Sequence, residues 1–341
     1  MELGIITAIF VMCRVADFQM LPNQTDYIVK ILNEERKVLY NYAVPYLHDN
    51  PYPGVEKYTH YEMARLGMLP LVNVKPLIPK LGPVINDVTS FKYPITVSSC
   101  KGRSSDSLLQ NKIRGESTLH RDILQLDILD FYRNLPFKMA GLLNWMNINC
   151  PKISFLLKVD DDVYVNVHNV AQMVESYHQT GKFSMFGRSQ NCGFPPDHLN
   201  NFGPARDPNR YQITLEAWPW HTYPDYIIVP VYMIHGSSIL PLLAAMQTTP
   251  VNPFEDVYVT GICSEKAGIK VLFSSGTTSL YAHSPFDDEC EARKYLAWDD
   301  WLSPLSHEQI GNLYSGATNK SCNNPNASIK FNFRSNYSTY P

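Results

Sequence analysis

Ile153-Ser154-Phe155-Leu156-Leu157-Lys158-Val159-Asp160-Asp161-Asp162 is an apolar run closed by three consecutive carboxylates. A run of this kind, ended by charge, reads as a buried strand emptying at its carboxyl end, where open α/β sheets bind ligands. On an extended chain residues i and i+2 share a face, so Asp160 and Asp162 converge on one target while Asp161 points elsewhere. Unpaired, three clustered carboxylates repel one another, and a divalent cation is their natural partner. An EF-hand loop also opens D-x-D, but here its fifth position is Tyr164, its sixth Val165 instead of Gly, and its twelfth Ala171 instead of Glu. The calcium-loop reading fails on those three positions. A bare D-x-D is most often a solvated acidic turn, so the flanking sequence must decide.

Outward from this strand the chain alternates. Pro94-Ile95-Thr96-Val97-Ser98-Ser99 reads as a first strand, and Leu135, Met139, Leu142, Leu143 and Met146 recur at helical spacing, with Asn134 available as N-cap and Pro136 in the first turn. After the acidic triplet, Val167, Val170, Met173 and Val174 mark another helix. Strands alternating with helices predict an α/β fold around a mostly parallel sheet flanked by helices. A second acidic pair, Glu255-Asp256, precedes Val257-Tyr258-Val259-Thr260-Gly261-Ile262, which reads as a helix carrying both carboxylates in its first turn, near the positive end of the dipole. By itself that is an ordinary acidic helix start.

Taken together, the motifs resemble one family. Asp122-Ile123-Leu124-Gln125, Asp127, Tyr132-Arg133-Asn134-Leu135, Lys138, Cys150-Pro151 and Leu157 to Asn166 are similar to the β1,3-glycosyltransferases, the galactosyl- and N-acetylglucosaminyltransferases of the secretory pathway. Glu255-Asp256-Val257-Tyr258-Val259-Thr260-Gly261 resembles that family's E-D-V-Y-x-G signature with Thr260 inserted before the glycine. Trp218 and Tyr223-Pro224-Asp225-Tyr226 resemble its aromatic and Y-P-x-Y segment. The resemblance runs from about Lys92 to Phe286 and implies a GT-A-like nucleotide-diphospho-sugar transferase fold.

It also implies a chemistry. Mn2+ or Mg2+ held by carboxylate oxygen neutralises the diphosphate leaving group of a UDP-sugar. The resemblance makes Asp162 the direct metal ligand and directs Asp160 and Asp161 toward the donor or the metal's waters. His283 stands where relatives place a histidine ligand. Asp256 matches the base that deprotonates the acceptor hydroxyl in an inverting transfer, and Glu255, Trp218 and Tyr223 are candidates for contact with the acceptor. The implied partners are UDP-galactose or a UDP-N-acetylhexosamine and a glycan on protein or lipid, joined in β1,3 linkage. Two departures stand out. Relatives carry an R-x-x-I-R-x-T-W segment and a further strand after the first strand, whereas this chain runs from Ser99 almost directly into Lys101-Gly102-Arg103. Relatives also follow the Y-P-x-Y segment with a C-S-G-G-G-Y-like loop, where this chain has Ile227-Ile228-Val229-Pro230-Val231-Tyr232. A catalytically inactive relative that binds glycans or supports a partner enzyme is the competing reading.

The chain's 341 residues, 45% hydrophobic, suffice for one catalytic core with appendages. A net charge of −3 leaves no basic footprint for nucleic acid. Leu3 to Cys13 is apolar but shorter than the roughly 20 residues of a spanning helix, so residues 1–16 read as a signal peptide or truncated signal anchor, with a buried helix as the alternative. Residues 17–89, with scattered prolines, read as a stem, 90–300 as the catalytic domain, and 301–341 as a polar tail. N-x-S/T sequons at Asn23, Asn319, Asn326 and Asn336 suit a luminal protein, on the Golgi membrane or secreted. Of seven cysteines none forms C-x-x-C; setting Cys13 aside leaves six, enough for up to three disulfides, while Cys263 sits in an apolar helical pattern that suits a buried thiol.

Overall fold

A computed structural model describes residues 7–12, 96–120, 123–150, 153–161, 163–189, 212–214, 218, 223–247, 249, 251–274, 281–282, 295–299 and 333–335. Strands β1 (Thr7–Met12), β2 (Thr96–Arg103), β3 (Ile123–Leu129), β4 (Phe155–Asp160), β6 (Ser184–Ser189), β7 (Ile227–His235), β8 (Lys270–Ser274) and β11 (Phe333–Ser335) form one sheet in the order β11-β8-β6-β7-β4-β1-β2-β3. The short strands β5 (Val163–Val165), β9 (Tyr281–Ala282) and β10 (Ala297–Asp299) make a second sheet in the order β5-β10-β9. The helices are α1 (Ser107–His120), α2 (Leu135–Asn149), α3 (Val167–Tyr177) and α4 (Ile239–Gln247), followed by a π-helix at Val257–Cys263 that runs into a turn of α-helix at Ser264–Lys266. None of the described helices is long and apolar enough to cross a membrane.

The α/β class is as the alternation predicts. β2, β3, β4, β6 and β8 point the same way, which is the parallel set expected of strands alternating with helices. The bonding is nonetheless mixed. β1 lies between β2 and β4, and β7 between β4 and β6, each antiparallel to both neighbours, so the parallel pairs left in the large sheet are β2–β3 and β6–β8. Thr7–Met12, within the stretch expected as a targeting segment, is thus strand β1, and its Thr, Ile and Val content suits a pleated position. Phe333–Ser335, within the expected polar tail, pairs antiparallel with β8 at the sheet's edge. The sequons at Asn23, Asn319, Asn326 and Asn336, and all of the stem, lie outside the described residues.

Alternation along β4 divides the core. Phe155, Leu157 and Val159 join Val170, Met173 and Val174 of α3 on one face. Leu156 joins Leu142, Leu143 and Met146 of α2, Leu242 and Met246 of α4, and Tyr258 of the π-helix on the other. Lys158 and Asp160, two and four residues on from Leu156, share that second face. Caps follow local chemistry. Asn166 accepts the N–H of Asn169 at the start of α3, whereas Asn134 precedes α2 without a side-chain cap and donates its Nδ2 to the Leu129 carbonyl. Pro occupies the first turn of α2, where its missing N–H is harmless.

The two departures from the family pattern have plain structural outcomes. The Ser99–Cys100 junction falls inside β2, which continues to Arg103, and α1 begins four residues later. Val229-Pro230-Val231 form a bulge: Gly187 pairs with Tyr232 and Arg188 with Ile228, so three residues of β7 oppose none of β6. A bulge tolerates proline because no ladder N–H is required there. Gly187 is needed opposite it, since a Cβ at that position would lie 2.1 Å from Ile227 Cγ2. Gly187→Ala should therefore lower stability by about 1–3 kcal/mol through overpacking. In denaturant melts the double mutant Gly187→Ala/Ile227→Ala should lose less than the sum of the two single changes, because the second removes the atoms the first strikes; simple additivity would contradict this packing.

Candidate active site

The carboxyl end of β4, the start of β7 and the acidic start of the π-helix meet at one place, and Lys158 is at its centre. Its side chain is 4% exposed, and its ammonium contacts Asp160 Oδ1 on its own strand and stands 3.7 Å from Glu255 Oε2 across the fold. The i, i+2 relation along β4 supplies the first contact; the register Lys158↔Tyr232 supplies a third neighbour. The Lys158 ammonium lies 5.6 Å from the Tyr232 ring centroid, and the Tyr232 hydroxyl donates to Glu255 Oε1. Burial alone would lower the Lys158 pKa, but Asp160, Glu255 and Asp256 outweigh it and hold the ammonium charged. Burial raises the Glu255 carboxyl against the opposing pull of Lys158 and Tyr232.

Asp256 follows Glu255 in the first helical turn, as its position in sequence predicts, and its Oδ1 accepts the Val257 N–H at 2.9 Å. Burial, then the charge of Glu255, push its carboxyl up to about 7, against the Val257 hydrogen bond and Lys158. A carboxylate near neutrality is suited to accept a proton from a hydroxyl. Tyr226 stands close enough for Asp256 to raise its phenol further above the level that burial sets.

The aromatic segment lies beneath the acidic helix. Trp218 is fully buried, with its ring 5.3 Å from that of Tyr223, and Tyr223 stands edge-on to Tyr226 at 6.2 Å. Trp218 and Tyr223 pack with Ile213, Phe254, Val257 and Ile262. In this arrangement both rings are packed against protein and support the helix; neither offers a broad exposed face for a sugar. Gly261 makes the close approach possible, since a Cβ there would lie 3.1 Å from Tyr226 Cβ and 3.3 Å from Pro224 Cγ.

Asp160 is half-buried and Asp161 exposed at the turn after β4, so both stand at the mouth of the site. Asp162 and His283, expected as metal ligands, lie outside the described residues, and among the described residues no three His, Cys, Asp or Glu side chains gather into a metal-binding group. The hard oxygen donors of Asp160 and Asp161 fit Mn2+ or Mg2+. Glu255 is 6% exposed and spends both oxygens on Tyr232 and Lys158, so it supports the site from within. The sequence assigned no role at the site to Lys158, Tyr232 or Thr260, although Thr260 stood out as an insertion. Lys158 carried a signal, a lone cation inside an otherwise apolar strand; the other two are legible only once β7 is seen beside the helix.

Below the network a small cavity is lined by Lys138, Lys158 and Glu255 on its polar side and by Cys100, Leu135, Met139 and Leu142 on its apolar side. Lys138 is anchored to Asp130 Oδ1 at 2.6 Å, and Asp130 Oδ2 accepts the Gly102 N–H at 2.9 Å. Burial pushes the Cys100 thiol up to about 12, which keeps it protonated and unreactive. Cys100 and Cys263 are free thiols, and Cys263 is buried as its apolar surroundings predict.

The family model described as Galactosyltransferase matches residues 101–273, just over half of the chain, from the second half of β2 to β8 and including every residue of the Lys158 network. The human lactosylceramide 1,3-N-acetyl-beta-D-glucosaminyltransferase is 30% identical over 162 residues, 47% of this chain and 41% of that protein. Mouse beta-1,3-galactosyltransferase 4 is 30% identical over 226 residues, 60% of this chain and 59% of that protein. The chain thus spans about two-fifths to three-fifths of the length of these relatives. With the acidic ends of β4 and the π-helix both inside the matched region, the chain belongs to the galactosyltransferase family.

Proposed function

We propose that the protein is a metal-dependent, inverting hexosyltransferase that moves galactose or an N-acetylhexosamine from a UDP-sugar to a hydroxyl of a glycoprotein or glycolipid glycan in β1,3 linkage. The observation that carries this reading is the pairing of Asp160, at the end of β4, with the Glu255-Asp256 helix start through one buried lysine. The family match and the names of the relatives support it. Asp160, Asp161 and Asp162, with His283, are the residues that would hold the metal and donor; the metal supplies Lewis-acid neutralisation of the diphosphate. Asp256 accepts the proton of the acceptor hydroxyl as that oxygen bonds to the anomeric carbon and the carbon–oxygen bond to UDP breaks. Lys158 keeps Glu255 and Asp160 in place without entering the reaction. A luminal site of action on the Golgi membrane, with N-glycans at Asn23, Asn319, Asn326 and Asn336, belongs to the same proposal. The inactive-relative reading draws on the bulge at Val229-Pro230-Val231, where branched residues stand in place of a glycine-rich loop.

Three measurements test this. UDP should raise the melting temperature only with Mn2+ present, because a ligand that binds the native state alone stabilises it, and Asp162→Ala should abolish the coupling. Equal UDP stabilisation in excess chelator would eliminate the bridging role. With UDP-galactose, UDP-N-acetylglucosamine and UDP-N-acetylgalactosamine offered to a glycan panel, Asp256→Asn should cut acceptor-dependent UDP release by about 10²–10⁴-fold while Mn2+-dependent UDP binding survives. A folded parent that binds UDP and Mn2+ but transfers no sugar would establish the inactive reading.

The third concerns pH. In the metal-free protein the Asp256 carboxyl titrates near 7 against a reference of 3.8, so between these values the native state holds a proton that the unfolded chain releases. Its contribution to stability therefore falls as pH rises through that window and levels off above about 7. Asp256→Asn removes this slope, so its stability relative to the parent should be higher at pH 8 than at pH 5 in urea melts. An equal difference at both values would show that Asp256 is not held protonated by its surroundings.

A further inference from the structure

The helix that carries Asp256 is irregular at the residue that the sequence comparison singles out. Val257–Cys263 wind as a π-helix, with all seven residues buried. A π turn takes one residue more than an α turn, so it absorbs a single extra residue while the chain on either side keeps its direction. Thr260, the residue that stands as an insertion in E-D-V-Y-x-G, lies at the middle of that segment with no exposure.

Its hydroxyl bonds in two directions. It donates to the Asp256 carbonyl at 2.6 Å and accepts the Ile227 N–H at 2.9 Å. One proton given and one accepted place the hydroxyl between the helix's acidic end and the first residue of β7. Five residues further along β7, the Tyr232 hydroxyl donates to Glu255. The strand is thus tied to Glu255 and Asp256 at two points, with the Val229–Val231 bulge between them. Gly261, next to Thr260, lets Tyr226 and Pro224 lie against the helix at a distance that a side chain would crowd. The extra residue of the helix and the altered β7 segment therefore form one connected unit.

We propose that Thr260 is a positioning residue: its hydroxyl holds the Asp256 backbone to β7 and so aims the Asp256 carboxylate. This rests on the reading of Asp256 as the base, deepens it, and adds a residue that has no counterpart in the six-residue signature. Thr260→Val removes the hydroxyl and keeps the shape; Thr260→Ser keeps the hydroxyl and removes a methyl group. If Thr260→Val does not fold by circular dichroism, Thr260→Ala takes its place.

The experiment uses the full chain and three readouts. Amide hydrogen exchange at Ile227 should quicken in Thr260→Val and stay near the parent in Thr260→Ser. In acceptor-dependent UDP release, Thr260→Val should lower kcat by about 10–100-fold with the KM for the UDP-sugar unchanged, as expected of a displaced base, and Thr260→Ser should restore kcat. The 13C signal of the Asp256 carboxyl, followed through pH in the metal-free protein, should shift its midpoint in Thr260→Val and not in Thr260→Ser. Unchanged exchange at Ile227 overturns the proposal, as does faster exchange with an unaltered kcat. A loss of kcat and KM together that serine does not rescue overturns it in favour of a merely structural role. A parent without transfer activity sinks the enzyme reading alone, and the carboxyl midpoint then decides: moved by valine and not by serine, Thr260 positions Asp256; unmoved by valine, it does not.

Discussion

Lys158 sits on a central strand almost without exposure, and an isolated ammonium in that position would carry a prohibitive desolvation penalty. Asp160 on one side and Glu255 on the other make it tolerable, and those two carboxylates come from segments nearly a hundred residues apart in the chain. The requirement to pair one buried cation thus brings the carboxyl end of β4 and the amino end of the acidic helix together. Removing Lys158 would leave Glu255 as a buried carboxylate without its cation, and breaking a buried pair in that way is far more destabilising than the intact pair is stabilising.

Around that pairing the fold is built in two layers of support. Beneath it, α2 and α4 close the sheet face that carries Leu156, Lys158 and Asp160, and Lys138 and Asp130 bind the end of β2 to the start of α2. Beside it, β7 donates twice to the acidic helix, through the Ile227 N–H and the Tyr232 hydroxyl. Trp218, Tyr223 and Tyr226 fill the space under the helix and fix its tilt by packing. Asp256 is left half-buried above these supports, with one oxygen held by Val257, in surroundings that push its proton affinity toward neutrality. Its position follows from the packing of the helix and from the Thr260 hydroxyl on its carbonyl, and its proton affinity from burial and the neighbouring Glu255.

Much of this was legible beforehand where the signal is periodic. The apolar spacing of Leu135 to Met146 and of Val167 to Val174 corresponds to α2 and α3, and the run from Ile153 to Val159 ends as β4. Elements of that kind announce themselves because burial of one face imposes a repeat on the sequence. Thr7–Met12 did not, because a short apolar run has the same composition whether it forms a strand, a targeting segment or a helix, and its place between β2 and β4 depends on partners distant in sequence. Likewise the mixed pairing was hidden: alternation of strands and helices sets the common direction of β2, β3, β4, β6 and β8, but says nothing about which opposing strands enter between them.

At the site the division is sharper. The sequence alone determined which carboxylates stand together, since Asp160-Asp161-Asp162 and Glu255-Asp256 are contiguous, and it placed the first group at a strand end and the second at a helix start because those local preferences are short-range. Only the tertiary structure decided that Lys158 is shared between the groups, that Glu255 and Trp218 face inward as support, and that Thr260 joins the helix to β7. Each of those outcomes depends on the register Lys158↔Tyr232 and on the seating of the π-helix over Tyr226. Register and seating are set by packing between segments far apart in the chain, and no local pattern of residues carries that information.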